Sequence, residues 1–262
     1  MIRTVNTTRY VAPLREGGSL PAVVEADDDG MYVLKFRGAG QGPKALIAEL
    51  VAGELGRALG LPVPEIVFME LDARFGDAEP DPDIASLLAA STGLNLGLDF
   101  LPKALPYQAL AGLTLDPALA AEIVWFDAFV SNVDRTAKNT NMLLWHKRLW
   151  LIDHGAALYV HHAWTDGVDP REDALDPAAF IKQHVLLPHA GDIAAADAKL
   201  SAQLTPERIA EIVGLIPEAW LEGVETPEEA AERRAGYAAY LTRRLESPRR
   251  FVEEAIRAQG RR

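Results

Sequence analysis

The sequence predicts an α+β protein: a small antiparallel-sheet lobe with one helix over residues 1–101, and a larger helical lobe over residues 102–262. Three observations predict it. Strand-type segments punctuated by turns crowd the N-terminal part, around a single amphipathic helix. From Pro102 onward helix-start signals take over. The chain, 262 residues long, is large enough to bury a real core and to form two lobes sharing a cleft.

The elements follow in order. Tyr10 to Leu14 and Ala22 to Ala26 read as strands flanking the turn-rich Arg15-Glu16-Gly17-Gly18-Ser19. Asp27-Asp28-Asp29-Gly30 is a hairpin signal, and Met31 to Phe36 is the returning strand. Arg37 to Lys44 is a glycine-rich loop. Ala45 to Leu59 then carries Leu46, Ile47, Leu50, Val51, Leu55 and Leu59 at helical spacing, stopped by Gly60 and Pro62. Glu65 to Leu71 is a further strand, and the acidic, proline-rich Asp72 to Asp83 a surface connection. Ile84 to Ala90 is a short helix and Leu94 to Leu101 a strand. Asp116 caps a helix that opens at Pro117 and runs to about Val130. Met142 to Trp145 and Leu149 to Ile152 are two short strands around a turn. Helices are expected over Thr205 to Leu215 and from Thr226 to about Ala258.

Composition excludes several classes of function. With no cysteine, disulfides, thiolate metal sites and cysteine nucleophiles are ruled out, and the chain suits the cytoplasm. Met1 to Tyr10 lacks the apolar core of a signal peptide. Pro117 to Val130, interrupted by Glu122 and Asp127, is too short to span a bilayer. A net charge of −12 argues against nucleic acid or an anionic membrane as partner. The C-terminal arginines (Arg243, Arg244, Arg249, Arg250, Arg257, Arg261 and Arg262) read as a solvated helix face paired with nearby glutamates. His161, His162, His184 and His189 have no zinc-type spacing; they read as a surface pair and two loop or helix-end residues. His161, His162 and Trp164 also follow Asp153-His154-Gly155 closely enough to line the acceptor side of a cleft.

The chemistry concentrates between Asn132 and Gly155. Asp134 and Asn139 lie five residues apart on one loop and can present a carboxylate and an amide to the same space. Asp153 arrives from the following hairpin, with Gly155 behind it to let the backbone turn. Lys138 is placed to balance phosphate charge. Phosphoryl transfer needs such parts: oxygen ligands for magnesium and a carboxylate that orients the acceptor hydroxyl and takes its proton. Taken singly these residues would also fit a surface Asx turn; the ordered set of helix, Asp, Asn, hairpin and Asp-x-Gly is more specific.

Asn132 to Leu144, with Leu151-Ile152-Asp153-His154-Gly155, resembles the HipA-like kinases and shares its Asp-Arg…Asn…Asp-x-Gly layout with phosphatidylinositol kinases. Upstream, Glu16 to Pro21 sits where such kinases have a phosphate-covering loop, and Val33-Leu34-Lys35-Phe36 looks like the lysine-bearing strand. The resemblance implies a protein-kinase-like fold whose first lobe covers the nucleotide, and a soluble kinase using ATP and magnesium. Asp134 would be the base and Asn139 and Asp153 the magnesium ligands. Lys35 would contact the α- and β-phosphates, Glu49 would steady Lys35, and Gly17, Gly18 and Ser19 would cover the phosphates. Glu54 is the reserve partner for Lys35, because it falls inside the apolar stripe where Glu49 lies at its edge. Lys35 itself has a second reading, an edge lysine facing water. His154 replaces the phenylalanine of many kinases, and Thr136 replaces a histidine common in related loops. Asp99 to Pro102 would join the lobes and offer backbone groups to adenine. The resemblance allows a protein serine or threonine or a small-molecule hydroxyl as acceptor, between which the sequence does not choose. The rivals are a nucleotide-binding pseudokinase and an AMP transferase.

Overall fold

The computed structural model describes residues 2–14, 20–40, 42–108, 115–164 and 170–261. Gly17, Gly18 and Ser19 therefore lie outside the described residues. Strands β1 (Thr4–Pro13), β2 (Ala22–Ala26), β3 (Met31–Lys35), β4 (Ile66–Leu71) and β5 (Gly93–Asp99) form a closed barrel in the order β1-β2-β3-β5-β4. Four of the five pairings are antiparallel; β1 and β4 run parallel, Val5 opposite Met69, and close the barrel. The antiparallel sheet expected from sequence is thus a mixed barrel, and closure removes its free edges. Its interior is filled by Val5, Val24, Tyr32, Leu34, Val67 and Met69. Period-two alternation turns Lys35, next to Leu34, to the outer face, and Lys35 pairs in register with Leu96.

That outer face packs on helix α1 (Pro43–Ala58). Gly53 lets the helix lie close on β4, since a Cβ there would stand 2.4 Å from Ile66 Cδ1. The helix ends at Gly60, whose φ of 75° allows the Gly60 N–H to reach Arg57 O and Leu61 N–H to reach Gly56 O. Two further helices join the barrel, α2 (Arg74–Ala78) and α3 (Pro82–Ala90), the latter capped by Asp81. The first of them falls in the segment expected to be a surface connection. One cluster of buried side chains continues from α1, Leu96 and Leu98 into the C-terminal helices.

There, β6 (Leu105–Pro106), β7 (Met142–Trp145) and β8 (Arg148–Leu151) form a second, three-stranded sheet. Helix α4 (Pro117–Phe129) starts at Asp116, whose side chain accepts from the Ala118 N–H at 3.0 Å. It is buried nearly all round, from Ala120 to Phe129, which explains an apolar run with little amphipathic pattern. Beyond it come α5 (Pro170–Asp173), α6 (Ile193–Ser201), α7 (Pro206–Val213), α8 (Pro227–Leu245) and α9 (Arg250–Gln259). The single long helix expected after Thr226 is two, broken at Ser247-Pro248, where proline lacks the N–H the helix needs. Two of the C-terminal arginines pair with nearby glutamates as expected, Arg243 with Glu246 and Arg257 with Glu254, whereas Arg249 pairs with the distant Asp197. Arg244 differs, being buried and donating to the carbonyls of Phe129, Ala128, Ala174 and Asp176. Among the described residues no helix is long and apolar enough to cross a membrane.

Candidate active site

The fold brings together residues far apart in sequence. Lys35 leaves the central strand β3 toward α1 and donates to Asp153 Oδ1 at 2.6 Å. Its Nζ also stands 3.3 Å from Glu49 Oε2, in the second turn of α1. With a side chain 11% exposed, Lys35 is no edge lysine. Glu54, the reserve partner, pairs instead with Arg57 at 3.1 Å. Burial penalises charge on both partners of the Lys35–Glu49 pair, but their mutual attraction outweighs it. Glu49 is drawn down to about 2 by Lys35 and by His154, and Lys35 is held above its ordinary value by Glu49 and Asp153. His154 occupies the buried place behind the pair, its Nδ1 3.5 Å from Glu49 Oε1 and its ring edge-on to Phe126.

The loop after α4 supplies the opposite wall. Asp134 Oδ2 accepts from Asn139 Nδ2 at 2.6 Å and from Asn141 Nδ2 at 3.3 Å. Asn141 also donates to the Asp153 carbonyl at 3.4 Å, so this buried amide joins the two aspartates. It was not singled out from sequence, although its place at the mouth of β7 was a signal. Lys138 is exposed, with no partner among the described residues. As expected, Gly155 lies in a turn, closed by the Ala157 N–H donating to His154 O at 2.8 Å, while the left-handed residue ahead of it is Asp153, at φ 56°.

Two histidines placed at the surface or in loops from sequence are buried. His161 accepts or donates at Tyr237 Oη, 3.2 Å away, and burial, then the charges of His162 and Lys44, pull it down to about 3. His184 packs behind Asp134's loop, and His162 and His189 are exposed. His161 and Trp164 line a shallow open recess with Lys44, Ile47, Trp220 and Tyr237, and none of Lys35, Glu49, Asp134 or Asp153 is among its lining residues. At the exit of β5 the Asp99 and Phe100 amides are spent on Glu65 O and Met31 O.

A lysine held between a helix glutamate and an aspartate that follows a hairpin, facing an Asp-Asn loop, is the arrangement of a kinase. Residues 8–249 match the family described as HipA-like kinase, and the chain belongs to that family; it is a phosphotransferase. Among solved structures it is similar in fold to the Helicobacter pylori proinflammatory kinase CtkA, with 13% identity, a TM-score of 0.58 and 98% of each chain covered. Two structures of the Golgi casein kinase align more loosely. One, with Mn/ADP bound, has 14% identity, a TM-score of 0.45 and coverage of 98% of this chain and 73% of that one. The other has 15% identity, a TM-score of 0.47 and coverage of 100% and 72%. No curated protein matches the sequence.

Proposed function

We propose that this kinase transfers the γ-phosphoryl group of ATP, with magnesium, to a hydroxyl acceptor on a protein serine or threonine or a small molecule. The observation that carries the proposal is the convergence of Lys35, Glu49 and Asp153 across 118 residues of sequence, beside Asp134. The nucleotide would lie between a lobe of residues 1–101 and one of residues 102–262, with the adenine against the Leu101 backbone, and a soluble, cytoplasmic setting fits the composition.

The donor set fits magnesium. Asp153 keeps its side chain 42% exposed, and Asn139 and Asn141 bring amides to the same space. Among the described residues no three His, Asp or Glu side chains form a self-sufficient metal cage. That suits an ion which takes one or two protein carboxylates and completes its shell with phosphate oxygens and water. Asp153 would hold it with one of the two amides: Asn139, as the family layout implies, or Asn141, which touches both aspartates and is the better placed to share a cation with Asp153. When bound, magnesium neutralises charge on the phosphates.

The chain's own groups do the rest. Lys35, kept charged by its carboxylates, moves from Asp153 to the α- and β-phosphates, and Glu49 fixes its direction. Lys138, free on the loop, balances γ-phosphate charge, and the segment containing Gly17, Gly18 and Ser19 covers the phosphates. The two amides on Asp134 Oδ2 orient the carboxylate and leave Oδ1 to accept the acceptor hydroxyl's hydrogen bond and then its proton.

Calorimetric titration of ATP with and without magnesium, on wild type and Asp153→Ala, tests the reading, followed by intact mass of the recovered protein. Magnesium-dependent binding lost in the variant supports the cleft, and a gain of one phosphoryl group in wild type supports the chemistry. A gain of one adenylyl group would instead mean AMP transfer. Binding without any turnover would mean a pseudokinase, and no binding by wild type overturns the proposal.

A further inference from the structure

Behind the reacting loop lies a buried polar hub centred on Asp127. Asp127, in α4, is fully buried and accepts three hydrogen bonds: from Asn132 Nδ2 at 2.8 Å, Arg135 Nε at 2.6 Å and His184 Nε2 at 2.8 Å. The tautomer of His184 follows from its other nitrogen. The Leu186 amide, which can only donate, points at His184 Nδ1 at 3.0 Å, so Nδ1 carries the lone pair and Nε2 carries the hydrogen given to Asp127. Burial, then the nearby Arg135 charge, hold His184 below its ordinary value against the pull of Asp127, consistent with a neutral ring. Asp127 is in turn held well below the carboxylate range, because Arg135 and His184 outweigh its burial.

Arg135 carries this anchorage into the site. Its Nη1 donates to Asn141 O and lies 3.5 Å from Thr140 O and 3.4 Å from Ile152 O. One guanidinium thus ties α4, the residue at the end of the Asp134 loop, and the residue before Asp153. Asp134 itself sits between Asn132 and Arg135, both bound to Asp127. A buried ion pair is weak evidence of added stability, since apolar side chains of similar volume serve as well. Apolar side chains cannot, however, hold carbonyls of two separate segments at fixed points.

We propose that Asp127, Arg135 and His184 are positioning residues, which set the separation of Asp134 from Asp153 without touching either substrate. The proposal rests on the reading of those two aspartates as the reacting pair. Arg135→Lys keeps the charge beside Asp127 but cannot also bridge Asn141 O and Ile152 O. The experiment compares Arg135→Lys, His184→Gln (which keeps a donor for Asp127) and His184→Leu (which does not) with wild type and Asp134→Ala. It measures ATP turnover onto the protein itself and water, KM for ATP, the melting temperature, and amide hydrogen exchange at Ile152, whose N–H donates to Asn141 O at 3.0 Å. Arg135→Lys and His184→Leu are expected to lose about tenfold or more in kcat with KM for ATP within about twofold. Ile152 should exchange faster in both, and His184→Gln should retain most of the turnover. If folded Arg135→Lys or His184→Leu matches wild type, or if only KM changes, the positioning role is overturned. Should Arg135→Lys fail to fold, the His184 pair decides. If wild type itself turns over no ATP, the reading of Asp134 and Asp153 fails first, and unchanged exchange at Ile152 in the variants would then remove the hub's role as well.

Discussion

Replacing Glu49 by glutamine keeps the shape of the side chain and removes one charge from the buried cluster around Lys35. The carboxylate is 1% exposed and is drawn from an ordinary 4.5 to about 2 in the folded protein, by Lys35 and His154 acting against burial. That difference corresponds to about 3 kcal/mol of folding stability at neutral pH. Because the folded value is the lower one, the contribution is complete above the unfolded value and is lost as pH falls through about 2. Glu49→Gln should therefore be less stable than wild type by about 3 kcal/mol at pH 7, and by roughly half of that or less at pH 3. For a chain of this size the pH 7 loss lowers the melting temperature by roughly 6–12 °C. Urea unfolding of both proteins from pH 7 down to pH 3 measures the gap. A gap of constant size across that range would show that the glutamine costs packing rather than charge, and would refute the electrostatic account of the cluster.

Asp134→Ala should bind ATP as wild type does while turnover falls by about 10²–10⁴; normal turnover would remove Asp134 as base. Lys35→Met should weaken ATP binding and leave Asp153 without its 2.6 Å partner; unaltered affinity in a titration would separate Lys35 from the phosphates. Asn141→Ala should raise the magnesium concentration for half-maximal nucleotide binding about tenfold or more, with a smaller effect for Asn139→Ala, and the reverse order would identify Asn139 as the ligand. Arg244→Met strips donors from four carbonyls, two of them at the end of α4. It should cost about 3 kcal/mol or more by urea unfolding, and a loss below about 1 kcal/mol would show that those carbonyls find other partners.

Local signals were readable where the chain itself enforces them. Alternation about Leu34 and turn residues on either side of Met31–Lys35 mark β3, and Asp116-Pro117 marks the start of α4. Some available signals were passed over: the alternating Thr4 to Thr7 at the start of β1, Asp192 capping α6 at the Ala195 N–H, and Pro248 as a helix stop. Others had no local form. Helical spacing ranks Glu54 above Glu49 as a stripe residue, yet only the packing of β3 on α1 decides which carboxylate meets Lys35. Nothing near His184 in sequence indicates Asp127, 57 residues away.

The sequence carries the change from a strand-rich to a helical half, the bounds of β3 and α1, the start of α4 and the spacing of Asp134, Asn139 and Asp153, because hydrophobic period, caps and motif spacing are properties of neighbouring residues. Only in the folded chain does the sheet close through a parallel β1–β4 pair, Asn141 join the two aspartates, and Asp153 take a left-handed backbone. Each of these depends on which distant backbone and side-chain groups share a low-dielectric space, and that is settled only when the whole core packs at once.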